Sequence, residues 1–270
     1  MEHFIKVEPG VNIYVNDLNP GGKKTLLFLH GWPLSHKAYE YQLDILPKLG
    51  YRCLGMDTRG FGRSSKPASG YSYNRLADDV RRVVEALNLR GFVLAGHSMG
   101  GATAIRYMAR YKGYGVSKLA LFGAAAPSLT IRPDFPFGVP KEVPDKLIEG
   151  ASNDRPQMLT DLSKQFFYQK LSQPFYDWFV SLGLEAAGWS TIQCIYTFRD
   201  EYLLSDLSSI RVPTVIMHGV HDEICLFTLA EILNKSIRDS VLIPFENSGH
   251  GLFYEEREKF NEELIRFIES

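Results

Sequence analysis

Gly96-His97-Ser98-Met99-Gly100, preceded by the apolar run Phe92-Val93-Leu94-Ala95 and followed by a helix-like stretch from Ala102 to Arg110, is the segment from which the rest of the chain can be read. As a string of letters, G-x-S-x-G is common. The strand before it and the helix after it make it informative. Glycines on either side allow close backbone approach while the serine is lifted onto a sharp turn, its hydroxyl exposed at the strand end above a helix N-terminus. The bland alternative is a glycine-rich turn with an idle serine.

Outward from this turn, short apolar runs alternate with longer amphipathic ones, the pattern of a mostly parallel sheet covered by helices. Eight strands are expected near Phe4-Val7, Val11-Val15, Thr25-Leu29, Arg52-Met56, Phe92-Ala95, Lys118-Phe122, Thr214-Met217 and Val241-Pro244. The spacing of Leu76, Val80, Val83, Val84 and Leu87 predicts a helix with Gly91 just beyond its end, and Phe260, Leu264, Phe267 and Ile268 repeat the pattern near the C-terminus. The run Glu255-Glu256-Arg257-Glu258-Lys259 reads as a solvated helix face. Between about Ser128 and Ser205 the alternation breaks into a proline-interrupted, aromatic-rich stretch with Phe166, Phe167, Tyr168, Phe175, Tyr176, Trp178 and Phe179. The expected organisation is an α/β core made of 1–127 and 206–270, with 128–205 inserted as a helical lid.

The composition narrows the class. The chain has 270 residues, 45% of them hydrophobic, and a formal charge of -1. That length supports a large core without staples. Cys53, Cys194 and Cys225 are odd in number and far apart, which argues against a disulfide framework and a zinc site and fits a reducing compartment. The N-terminus has no signal-peptide pattern and no run is long enough to span a membrane, so a cytoplasmic protein is expected. Basic residues come at most in doublets, leaving no electrostatic footprint for nucleic acid. The expected partner is a small molecule. Monomer and homo-oligomer are both compatible with the sequence.

A serine hydroxyl is a poor nucleophile until a base takes its proton, so Ser98 requires a histidine backed by a carboxylate. Asp222 follows the strand ending in His218-Gly219, and His250 lies in Asn247-Ser248-Gly249-His250-Gly251 after the next strand. Each is placed past the C-terminal end of a parallel strand, where open sheets carry their sites. Alone, Asp222 reads as a turn aspartate and His250 as a loop histidine; in the order Ser98, Asp222, His250 they form a candidate triad. His30-Gly31-Trp32 follows the third strand, and the backbone N–H groups of Trp32 and Met99 are the expected oxyanion donors. Trp32, His30 and Phe253 are the expected pocket residues. The Asp57-Arg59-Arg63 cluster reads as structural, since no triad role is left for it.

On these residues the chain resembles the α/β-hydrolase family over nearly its whole length. Within that family it is most similar to the cofactor-free haloperoxidases, also called perhydrolases, and the related aryl esterases. The likeness rests on His30-Gly31-Trp32-Pro33-Leu34-Ser35, Asp57-Thr58-Arg59-Gly60-Phe61-Gly62-Arg63-Ser64-Ser65, Gly96-His97-Ser98-Met99-Gly100-Gly101, Arg106-Tyr107 and Val139-Pro140-Lys141-Glu142-Val143. The chain departs from the branch pattern at His221 and Ala102. The resemblance implies an esterase with no cofactor and no metal, and a secondary perhydrolase activity. Pro33 lacks an N–H and restricts Trp32 towards extended backbone, so the Trp32 carbonyl is expected to be held where it could accept a hydrogen bond from attacking peroxide. The same triad serves ester, lactone, lactam and carbon–carbon bond hydrolysis, and some proteins on this fold are small-molecule receptors with vestigial turnover.

Other readings fail on spacing. Gly96-x-x-x-Gly100-Gly101 is not a dinucleotide fingerprint, and Gly22-Lys23-Lys24-Thr25 precedes a strand where a phosphate loop would follow one. His218-x-x-His221-Asp222 has no companion cluster to complete a metal site. Aspartate-nucleophile relatives are disfavoured because the turn holds Ser98.

Overall fold

The computed structural model describes residues 1–270. All eight expected strands are present: β1 (Glu2–Glu8), β2 (Val11–Leu18), β3 (Thr25–Leu29), β4 (Arg52–Met56), β5 (Phe92–His97), β6 (Val116–Phe122), β7 (Thr214–Gly219) and β8 (Ser240–Phe245). They form one sheet in the order β1-β2-β4-β3-β5-β6-β7-β8. β1 pairs with β2 and β2 with β4 antiparallel, and the other neighbours are parallel. β5 and β7 are buried along their whole length, as parallel strands covered on both faces must be. The period of two then sends alternate side chains to different cores. Leu27, Leu29, Leu54, Leu94 and Leu121 enter one hydrophobic cluster, and Leu26, Phe28, Cys53, Val93 and Phe122 enter the other.

Helices cover both faces: α1 (Glu40–Ile45), α2 (Tyr73–Ala86) and α3 (Met99–Tyr111) lie before β6, and α9 (Phe227–Ser236), α10 (Leu252–Glu255) and α11 (Arg257–Glu269) after β7. α2 starts where Ser72 accepts the Arg75 N–H, and it buries Leu76, Val80, Val83 and Val84 while Arg82 and Glu85 face solvent. No helix is long and apolar enough to cross a membrane.

Between β6 and β7 the chain leaves the sheet for α4 (Glu142–Asn153), α5 (Arg155–Phe166), α6 (Gln173–Leu184), α7 (Gly188–Asp200) and α8 (Leu204–Leu207). Two of the prolines that break the sequence pattern begin helices. Pro156 and Pro174 occupy first-turn positions of α5 and α6, where a missing N–H costs nothing, and Asp154 and Ser172 cap the same ends by accepting N–H groups from Gln157 and Phe175.

Candidate active site

Ser98 joins β5 to α3 with φ 53° and ψ −118°, a conformation that costs a non-glycine residue about 1–3 kcal/mol and persists only where the surroundings enforce it. They do so through hydrogen bonds. The Ser98 N–H donates to the Phe122 carbonyl at 2.9 Å, and the Ser98 carbonyl accepts from Ala102 and Ala125 at 3.0 and 3.1 Å. The flanking glycines are required by close approach: a β-carbon at Gly96 would lie 2.5 Å from the Gly100 carbonyl oxygen, and one at Gly100 would strike the Leu29 carbonyl. The turn thus delivers the serine to the C-terminal edge of the sheet and the N-terminal end of a thirteen-residue helix.

Asp222 and His250 meet across the ends of β7 and β8. His250 Nδ1–H donates to Asp222 Oδ2 at 2.6 Å, both side chains fully buried. The other carboxylate oxygen, Oδ1, accepts the N–H groups of Ile224 and Cys225 at 2.9 and 2.8 Å. Burial by itself would raise the Asp222 carboxyl; the neighbouring His250 and His218 imidazoles outweigh it and hold the group well below the usual carboxylate range. His218 supports the pair from behind, with Nε2 2.6 Å from the Cys225 carbonyl oxygen and 3.2 Å from Asp222 Oδ2, while its buried Nδ1 has no partner. With Nδ1 committed to Asp222, Nε2 is the ring nitrogen left to His250 for the cavity that Ser98 also lines.

That cavity is narrow, about 70 Å³, and eleven of its sixteen lining residues are hydrophobic. Core and excursion share the wall: Trp32, Ala125, Ile224 and Cys225 face Val143, Leu147, Leu162, Phe166 and Phe198. Trp32 is tied to the excursion by its indole N–H, which donates to the Thr191 carbonyl at 3.0 Å, and by an edge contact with Phe198 at 5.4 Å between ring centres. The backbone N–H groups of Trp32 and Met99 donate to no other group of the protein. The Trp32–Pro33 peptide is cis. Burial pushes the Cys225 thiol well above its ordinary value, which makes it a poor nucleophile.

Two expected pocket residues are corrected. His30 does not line the cavity: its ring is fully buried, Nδ1–H donates to the Gly31 carbonyl at 2.9 Å, and Nε2 accepts the Thr58 N–H at 3.0 Å. Both nitrogens are used in fixing the loops after β3 and β4. Phe253 also lies outside, packed on Tyr39 and edge-on to His97 at 5.5 and 5.0 Å between ring centres. The aromatic run of the excursion behaves similarly. Phe166 reaches the cavity, whereas Phe167, Phe175 and Phe179 pack with one another and with Tyr254.

The charged run after His250 is solvated only in part: Glu258 is exposed, whereas Glu255 and Glu256 fold back onto the histidine loop. Glu255 is half-buried and accepts the Gly249 and Gln169 N–H groups, each at 2.8 Å, joining the histidine loop to the segment after α5. Glu256 accepts the Asn247 N–H and the Ser248 hydroxyl at 2.9 and 2.7 Å. Burial raises the Glu255 carboxyl to about 7 in spite of these donors. Glu223, Cys225 and Gln165 also line the cavity and were absent from the expected set. The first two stand within three residues of Asp222, a proximity that could have pointed to them. Nothing local in the sequence shows which face of α5 carries Gln165.

A strained serine between a parallel strand and a helix, under a separate helical excursion, defines the α/β-hydrolase class, and the chain belongs to that family: the model of the alpha/beta hydrolase fold matches residues 24–257. It is similar to the AB hydrolase superfamily protein YisY of Bacillus subtilis, 49% identical over the whole of both chains. It is also similar to the bifunctional esterase/perhydrolase DCH of Acinetobacter calcoaceticus, 31% identical over 99% of each. Among solved structures, the esterase EaEST from Exiguobacterium antarcticum superimposes with a TM-score of 0.97 at 42% identity, all of each chain covered.

Proposed function

We propose that the protein is a serine hydrolase acting on small carboxylic esters through an acyl-enzyme. The observation that carries this reading is Ser98 on a positive-φ turn, sharing one apolar cavity with a histidine whose Nδ1 is 2.6 Å from a buried carboxylate. In the proposed reaction the Ser98 hydroxyl attacks the ester carbonyl and His250 Nε2 takes its proton. Asp222, kept ionised, fixes the His250 tautomer and stabilises the imidazolium. The Trp32 and Met99 N–H groups receive the negative charge on the carbonyl oxygen. His250 returns the proton to the departing alcohol, and water repeats the sequence on acyl-Ser98.

The narrow cavity favours short acyl chains. When hydrogen peroxide replaces water at the second step, the products are a peracid and free Ser98, and the peracid can then oxidise halide. The name of the Acinetobacter relative supports this side activity. Three buried, unpaired cysteines support placement in a reducing compartment such as the cytoplasm. Lactone, lactam or carbon–carbon substrates would use the same groups, and turnover of simple esters is the first discriminator.

The test is turnover of p-nitrophenyl esters of increasing acyl length, with a parallel series of acetate plus peroxide read by a halogenation indicator. The expected result is a preference for two to four carbons, a peracid signal above background, and a loss of about 10⁴-fold or more in both series for Ser98→Ala. Turnover that survives Ser98→Ala would overturn the assignment; absence of the halogenation signal alone would leave a plain esterase.

A further inference from the structure

The cavity wall carries one acidic side chain. Of the sixteen lining residues, Glu223 is the only one with a carboxylate side chain, and no lysine or arginine is among them. Glu223 sits on the turn after β7, one residue past Asp222, and is exposed. The ion pairs of this turn are those of Asp222 with His218 and His250; Glu223 takes part in none. The basic residues at and near the start of helix α4 do not line the cavity. Lys141, just before its start, pairs with Asp200 at 3.5 Å, and Lys146 lines an adjoining surface depression together with Asp154 and Asp161. Three aromatic side chains, Trp32, Phe166 and Phe198, line the same cavity as the free carboxylate.

We propose that Glu223 selects among esters by charge, favouring substrates that carry an ammonium group and disfavouring those that carry a second carboxylate. The inference rests on the serine-hydrolase reading of the site and names the substrate class within it. An ester seated against the apolar wall brings its other substituents towards the cavity mouth. A cation there meets an unneutralised carboxylate at an edge where part of the surrounding water is replaced by hydrocarbon, and the interaction is stronger than between two fully solvated charges. The aromatic faces add attraction of the same sign through their negative quadrupole. A carboxylate on the substrate meets repulsion from the same group, with no arginine or lysine to offset it. Because Glu223 is exposed, the effect is modest and screened by salt.

The experiment compares acetylthiocholine with S-(3,3-dimethylbutyl) thioacetate, which differ only in quaternary nitrogen against quaternary carbon. The ratio of their kcat/KM values is measured in native protein and in Glu223→Gln, at low salt and at high salt. The expected ratio is about three- to tenfold in favour of the cation in native protein at low salt, falling towards one in the variant and at high salt. A ratio near one in native protein, or one unchanged by Glu223→Gln, would overturn the proposal. A second arm reads binding without chemistry. Phenyltrimethylammonium is titrated calorimetrically into Ser98→Ala with and without Glu223→Gln, and a three- to tenfold weakening is expected. Glu223-dependent binding with no ester turnover in native protein would sink the hydrolase reading and keep the charge selection. Ester turnover with no Glu223 dependence in either arm would do the reverse.

Discussion

The molecule contains two buried histidine–aspartate pairs with almost the same geometry. His250 Nδ1 lies 2.6 Å from Asp222 after β7, and His36 Nδ1 lies 2.7 Å from Asp57 after β4. In both, the carboxylate is held below its ordinary range against the opposing effect of burial, by the partner imidazole foremost. Their surroundings differ. Asp57 accepts two backbone N–H groups, from His36 and Arg63 at 2.8 Å each, as Asp222 does from Ile224 and Cys225, but Tyr14 packs on the His36 ring at 5.3 Å and neither His36 nor Asp57 reaches the cavity. His250 opens on a cavity it shares with a serine held at positive φ. A short hydrogen bond between imidazole and carboxylate is therefore no mark of catalysis by itself. The hydroxyl and the space beside the ring distinguish a proposed base from a structural tie.

The contrast is sharpest in paired substitutions. Asp222→Asn is expected to lower kcat for a short ester by about 10³- to 10⁴-fold, because an amide can favour the wrong imidazole tautomer, while the protein stays folded. Asp57→Asn is expected to act in the opposite sense. Stability falls by about 2–4 kcal/mol as a buried charge network loses one member, and turnover per folded molecule stays within about tenfold of native. Urea titration and active-site-normalised kinetics on both variants separate the cases. Loss of turnover in well-folded Asp57→Asn would break the comparison.

A smaller effect tests how the Asp222–His250 pair is held. Glu255, raised to about 7, binds its proton more tightly in the folded chain than in the unfolded one, where the carboxyl has its ordinary value near 4.5. The stability linked to that proton is fully present below the unfolded value and is lost as pH rises through about 7. Native protein should therefore lose stability between pH 5 and 8 more steeply than Glu255→Gln. The variant starts lower by about 1 kcal/mol, since an amide oxygen cannot accept from both Gly249 and Gln169 in place of a carboxylate. Urea midpoints at pH 5, 6, 7 and 8 give the two slopes. Parallel slopes would remove Glu255 as a titrating clamp on the histidine loop.

Much of this arrangement was legible in the sequence, and the parts that were not have definite physical reasons. All eight strands were found because buried parallel strands are short, apolar and bounded by turns, and Ser98, Asp222 and His250 could be aligned because each follows such a strand. His30 and Phe253 were misplaced because position along the chain does not fix side-chain direction. His30 sits at the end of β3, yet its ring turns to the Thr58 loop, and Phe253 follows the histidine loop but faces Tyr39. The excursion was visible as a break in pattern, but which helical faces meet the cavity depends on how α4, α5 and α7 pack, and the conspicuous aromatics of α6 turned to one another. Glu255 and Glu256 looked solvated because a charge run carries no sign of the backbone N–H groups that fold back onto it.

The most direct test of the central claim is covalent trapping. Native protein, Ser98→Ala and Asp57→Asn are treated with a fluorophosphonate probe, and the adduct is mapped by peptide mass spectrometry. The expected result is a single adduct on Ser98 in native protein and in folded Asp57→Asn, with none in Ser98→Ala. An adduct on another residue that accompanies loss of ester turnover, or full turnover in native protein with Ser98 unlabelled, would contradict the assignment of Ser98 as nucleophile.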